Sequence, residues 1–458
     1  MTSPGALLLL PADPPARVGP RRRRLDPLAA TSSALMANTV ITSALGMVFW
    51  AVASRTYSPL QLGESAALIS AMMLLSVVSQ LNLAMGISRL LPQVCHHRRR
   101  GVVAAYGLAS GAALVVTGSF ALLAPRLSAG FAFLGKDPLL AVALVVAVVL
   151  WNIFALQDAV LTAARWAVAL PIENGFFGVL KIGFMVGLAH GAATHGVFVA
   201  WLLAMALMLV PVNSLIFWKV LPAGTPGEDA RKATVLPITD RAGVARYLAV
   251  DYLAALLSQG YTTMLPLLVV AVLGRDANAY FYISWVIAGA VRAVAECMST
   301  SLVVEGAHDE SELVSLTRLS VLRYAKYAVP GIALLIVCAN LLLLPFGASY
   351  VDKGVAVLRL LLVATIPQAL VSVYLSVERV RANVSRVLAV EATVIILVTG
   401  GAIAGMHRSG LIGIGWAWLV AQSIVAALVA PALWRACHEP ARFGGRTPPA
   451  VGPAAGRS

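Results

Sequence analysis

Two cations stand in the middle of long apolar runs, Lys181 in ENGFFGVLKIGFMVG and Arg292 in WVIAGAVRAVAECMS. A charge at the centre of a bilayer costs roughly 2.5–3.5 kcal/mol on insertion scales, so each is a candidate site residue. The chemistry they offer is anion binding. An ammonium has three donors and a guanidinium a fork of five, both suited to phosphate or carboxylate oxygens. Each also has a structural alternative. Lys181 has Glu173 and Asn174 eight and seven residues earlier, near one helical face, and an ion pair with Glu173 or Asp158 would neutralise it. Arg292 has Glu296 one turn on. Asp251, Ser258 and Gln259, and separately Glu391, are further candidates to line a cleft or relay a coupling cation. The stretch from Met36 to Pro92 adds Asn38, Thr42, Ser43, Gln80, Asn82 and Ser88, at depths where lipid would leave them unpaired, so they should face protein or water.

The elements that position these residues are membrane helices. With 458 residues, 60% hydrophobic and 12% charged, and a mean hydropathy of +0.86, the chain is no soluble globule. Its formal charge of +14 would suit nucleic acid, but basic residues of membrane proteins gather in loops for topological reasons, so nucleic acid is excluded as a partner. Cys95, Cys297, Cys338 and Cys437 are isolated and read as inert thiols. The chain has no GxxxxGK[ST], HExxH or GxSxG motif and no aspartate cluster for metal-assisted glycosyl transfer, so an enzyme, metal or cofactor reading has little support.

The expected class is all-α, with about twelve spans of roughly 20 residues in two six-helix lobes related by a parallel repeat. The spans lie near 31–54, 64–91, 102–124, 139–161, 169–189, 197–218, 245–273, 279–304, 325–344, 355–377, 387–406 and 411–434. Residues 1–30 read as a disordered cytoplasmic arm, 31–218 as the first lobe, 219–244 as a linker rich in proline and glycine, 245–434 as the second lobe and 435–458 as a tail. Most basic residues, Arg21 to Arg24 and Arg98 to Arg100 among them, fall on the side of the termini; Arg55, Arg126, Lys136, Arg275, Lys353, Arg359 and Arg408 fall on the other. That asymmetry predicts cytoplasmic termini in the cell membrane. The repeat lays SRTYSPLQLGESAALIS against VLGRDANAYFYISWVIA and implies a cleft between lobes.

Other residues carry plainer readings. Pro59 and Gly63 end one helix and start the next. Glu64, Asp158, Glu173, Glu378 and Arg379 lie near span ends, within reach of headgroup water. Gly183, Gly187 and Gly191 form overlapping GxxxG patterns that predict close helix packing. Trp50, Trp166, Trp218, Trp285, Trp416, Trp418 and Trp434 read as interfacial anchors.

The opening from Ser43 to Pro92 then carries a resemblance. Its small residues before Phe49 and Trp50, the turn Arg55-Thr56-Tyr57-Ser58-Pro59, Gly63, and the closing Arg89-Leu90-Leu91-Pro92 resemble bacterial polysaccharide-biosynthesis membrane proteins of the multidrug/oligosaccharidyl-lipid/polysaccharide exporter superfamily. The resemblance implies a flippase moving a polyprenyl-diphosphate-linked glycan between leaflets by alternating access, with Lys181 and Arg292 offsetting the diphosphate charge. Its partners would be that glycolipid, membrane lipids, and glycan polymerases and glycosyltransferases. The alternatives are a cation-coupled exporter of amphipathic compounds, with Asp251 or Glu391 on the coupling ion, and a scaffold that transports nothing.

Overall fold

The computed structural model describes residues 27–91, 98–164, 166–191, 194–221, 241–308, 313–381 and 383–438. Every long element is a helix, because a chain this apolar must satisfy its backbone internally where no water reaches. The first half runs α1 (Pro27–Thr56), α2 (Pro59–Ser79), α3 (Leu83–Leu90), α4 (Arg98–Leu127), α5 (Ala132–Lys136), α6 (Pro138–Ala163), α7 (Leu170–His190) and α8 (Gly196–Leu215). The second runs α9 (Arg241–Leu273), α10 (Arg275–His308), α11 (Leu313–Arg323), α12 (Val329–Val337), α13 (Ala339–Leu343), α14 (Ala348–Val380), α15 (Val384–Ser409) and α16 (Leu411–His438). Single π turns extend α8 and join α11 to α12.

Among the described residues eleven helical stretches are long and apolar enough to cross a membrane, and α10, with 34 residues, is the twelfth long helix. The chain is a multi-pass membrane protein. Helix pairing repeats with an offset of six spans. In the first half α1 packs on α7, α7 on α8, α6 on α8 and α4 on α6; in the second α9 packs on α15, α15 on α16, α14 on α16 and α12 on α14. Like halves entering from one side give a parallel repeat. The face where α1 begins and α16 ends is called the near face below, and the opposite one the far face.

Local chemistry explains the joints. Ser58 caps α2 in a reciprocal box with Gln61, and Pro59 takes the first-turn place where its missing N–H costs nothing. Gly63 plays no part in starting that helix. It lies inside α2, where a Cβ would collide with the Arg275 carbonyl oxygen of the other lobe. The span expected over 64–91 breaks at Leu81 and Asn82, both left-handed, and Asn82 heads the short α3. Asn82 takes a left-handed conformation at this break.

Two packing expectations are corrected. Gly183 and Gly187 are exposed with nothing near their missing Cβ positions, so no described helix packs there. The close approaches use Gly178, which admits Leu45 of α1, and the facing pair Gly405 and Gly413 of α15 and α16. Trp50, Trp285 and Trp418 are buried within the lobes, whereas Trp166, Trp218, Trp416 and Trp434 are exposed as anchors would be. The expected arm, linker and tail fall almost entirely outside the described residues.

Candidate functional site

Midway along its spans each lobe sets a cation against aromatic faces. In the first, α7 carries Lys181 inward, and its Nζ stands 4.4 Å from the Trp201 ring of α8, 5.0 Å from Phe49 of α1 and 5.1 Å from Phe177 one turn back. Lys181 is 7% exposed. The pairing with Glu173 or Asp158 does not form: no described carboxylate lies within ion-pair distance of Lys181. Eight helical residues separate it from Glu173, about 12 Å along the axis. The rings replace the missing counter-ion, each contributing on the order of 0.5–2 kcal/mol.

In the second lobe Arg292 of α10 stacks its guanidinium 4.3 Å from Trp285, two turns toward the far face, and 5.9 Å from Trp418 of α16. The helical side chain leans toward its own N-terminus, which brings it onto Trp285. The side chains of Glu296 and Asp251 lie outside the described residues. Tyr261 of α9 packs on Trp418, and Trp418 on Trp285 edge to face, so three helices fix the stack.

The remaining candidates scatter. Asn174, 8% exposed, faces Asp158 of α6 beside Glu173. Asn38 on α1 keeps a buried Oδ1 without a hydrogen bond. Gln259 is exposed. Glu391 is 3% exposed and sits 3.5 Å from Arg379. Glu64, Glu173 and Glu378 are 5%, 5% and 1% exposed, so protein covers them and headgroup water does not. A span end inside a bundle is still interior.

Sequence reasoning missed the contacts that join the lobes. At the far face Arg275 opens α10 and forms an ion pair with Glu64 of α2, while His195, ahead of α8, holds its Nδ1 3.5 Å from the same carboxylate. Asn278 donates to the Gly63 carbonyl at 2.9 Å. Arg55, closing α1, donates to the Leu344 and Pro345 carbonyls at 2.8 Å, and a Cβ on Gly130 would run into the Val270 carbonyl oxygen. Deeper in, Trp50 meets the Tyr282 ring at 4.7 Å. Toward the near face the described polar bond between lobes is Tyr252 to the Val78 carbonyl, 2.5 Å. The lobes are latched at the far face. A readable signal existed: Glu64 and Arg275 sit near the starts of matching helices in the two halves, with opposite charge. The first lobe also holds a triad missed in sequence, Asn152 bonded to Ser76 and Ser79.

No protein-family model matches the chain, and no curated protein matches it. Solved structures do. The lipid II flippase MurJ in an inward closed conformation aligns over 88% of this chain and 90% of its own, with a TM-score of 0.68 and 11% identity. The fold is that of the MOP-superfamily transporters. Among them the MATE multidrug transporter DinF-BH, solved as a complex, covers 89% of this chain and 93% of its own at TM-score 0.61 and 13% identity. An inward-facing multidrug-resistance MATE transporter of the MOP superfamily covers 90% and 96% at 0.57 and 14%. In this MOP fold the two caged cations fall one to each lobe, and the latch spans both.

Proposed function

We propose that the protein is a flippase that carries a lipid-linked oligosaccharide, with a polyprenyl-diphosphate head, across the cell membrane by alternating access of its two lobes. Both termini are then cytoplasmic, in line with the basic excess on their side. The observation that carries the reading is the pair Lys181 and Arg292, two cations that the fold holds at mid-depth against rings. A diphosphate that leaves water needs donors and positive charge in exchange. An ammonium balanced by rings, with no carboxylate to displace, is ready to supply both. Alternating access fits a latch made of polar contacts at one face, which can open without disrupting either lobe. The partners of this reading are the glycolipid, bilayer lipids and the enzymes that build and polymerise the glycan.

The test is flipping of a fluorescent lipid-linked oligosaccharide in proteoliposomes by Lys181→Ala, Arg292→Ala and the double variant. The proposal expects at least a tenfold loss in the double variant at unchanged protein level. Unchanged flipping would make both residues structural. A second reading, a cation-coupled exporter of amphipathic compounds, is favoured by one observation: Glu173 is buried with neither carboxylate oxygen bonded. Efflux of a fluorescent cationic dye abolished by Glu173→Gln, with glycolipid flipping absent in the native chain, would establish that reading.

A further inference from the structure

On the outside of the second lobe, between α11, α14 and α16, lies a groove of ≈ 340 Å³. Its depth comes from Ala426 and Ala430, one turn apart on α16, whose small side chains leave a trough between Leu370 and Leu433. From Ala426 to Cys437 the trough follows eleven residues, about 16 Å of helix. Its near-face end is different in kind. There Arg318 of α11 stands beside Cys437, with Trp434 at the rim.

The first lobe supplies an internal control. Its third span, α4, opens with Arg98 to Arg100, and Arg99 donates to the Leu221 carbonyl at 2.7 Å and to the Phe217 carbonyl at the end of α8. That arginine caps the carbonyls of the sixth span. Arg318 occupies the corresponding third span of the second lobe next to the twelfth, and it stays exposed at the mouth of an apolar trough. One arginine ties two helices together; the other keeps its donors at the surface, near the start of its span.

We propose that this groove is a binding site for an anionic glycerophospholipid, with one acyl chain along Leu433, Ala430 and Leu370 and the phosphate on Arg318. The charge decides the lipid class. A single cation at the mouth suits a headgroup with net negative charge, and a zwitterionic headgroup brings its own cation to the same spot. The trough has the length for one acyl chain, and Trp434 at its rim marks the level at which that chain meets its head.

The experiment is native mass spectrometry of the full chain released from detergent, titrated with phosphatidylglycerol and with phosphatidylcholine. One phosphatidylglycerol is expected to bind at least fivefold more tightly than phosphatidylcholine, in keeping with one basic residue near the surface. Arg318→Ala removes that preference and leaves phosphatidylcholine binding as it was, while Arg318→Lys keeps most of it. Ala430→Trp fills the trough and removes the bound lipid of either kind; Ala426→Leu does so in part and guards against a misfolded tryptophan variant. Equal affinity for both lipids, a preference that survives Arg318→Ala, or tighter binding of a polyprenyl phosphate than of phosphatidylglycerol would each overturn the proposal.

Discussion

In the second lobe Glu378 and Glu391 are buried against Arg381, Arg386 and Arg379. In the first lobe Glu173 leaves both carboxylate oxygens unbonded, and Asp158 leaves Oδ1 unbonded, with Lys181 turned to its rings instead. The same helices, α7 and α15, occupy the same place in each half. One half neutralises its acids with its own arginines and gains scaffold. The other carries, on one helix, an acid with no bonded partner and a cation balanced by rings alone. On the function proposed above, Lys181 of the first lobe is the charge left for a ligand.

The largest effect should come from the contact both lobes share. A valine at 63 would place its branched side chain against the Arg275 carbonyl, which is backbone and cannot swing aside. Gly63→Val should abolish far-face closure. Spin-label distances between the lobes at the far face should lengthen relative to the native chain. An unchanged distance would mean the two lobes meet there by a different path.

Next come paired substitutions of the acids. Glu378→Ala strands Arg381 and Arg386, which are 23% and 59% exposed at the side chain, so water relieves part of the loss. About 1–2 kcal/mol of destabilisation is expected, against roughly 3–5 for a fully buried pair. Glu173→Gln replaces a buried carboxyl group that has no bonded partner, and should leave stability equal or higher. Thermal unfolding of both variants in one detergent tests the contrast. A matching loss in Glu173→Gln would show that this acid is held by the fold after all.

How far these features were legible depends on range. Hydropathy runs are local, so twelve spans and the two halves could be read directly, as could Lys181 and Arg292 as charges out of place. Their partners could not. The cage on Lys181 gathers Phe49, Phe177 and Trp201 from three helices, and only Phe177 is near in sequence. Span-end acids looked hydrated because position along a helix says nothing about the angle it presents to its neighbours. The repeat was visible but misplaced by two residues. Counted from the helix starts, Pro59 matches Arg275, and Gly63 then matches Ala279, the residue it meets in space.

The latch gives a smaller effect. Arg275 is 37% exposed at the side chain and Glu64 6%, so their bond is worth less than a buried pair. Arg275→Ala should shift the closed population by up to about tenfold, on the order of 1.4 kcal/mol. Spin-label distances between the lobes at the far face would report it. The exchange of both charges, Glu64→Arg with Arg275→Glu, should restore closure in part and set His195 against a cation. Full restoration would show that His195 contributes nothing to the latch.

The smallest effect tests the glycines that differ between the corresponding helices. Gly405 of α15 meets the Gly413 backbone, where a Cβ would come within 2.5 Å of a carbonyl oxygen. At Gly183 of α7 no described atom lies within 4 Å of where a Cβ would stand, and the residue faces outward. Gly405→Ala must force two helices apart. Gly183→Ala meets only the surroundings of the lobe and gains helix propensity, up to about 1 kcal/mol in water. The two alanines should therefore move the unfolding midpoint in opposite directions, with Gly183→Ala raising it slightly. A clear loss at Gly183 would place another surface against the bare face of α7 and would make that stripe of glycines a contact between chains.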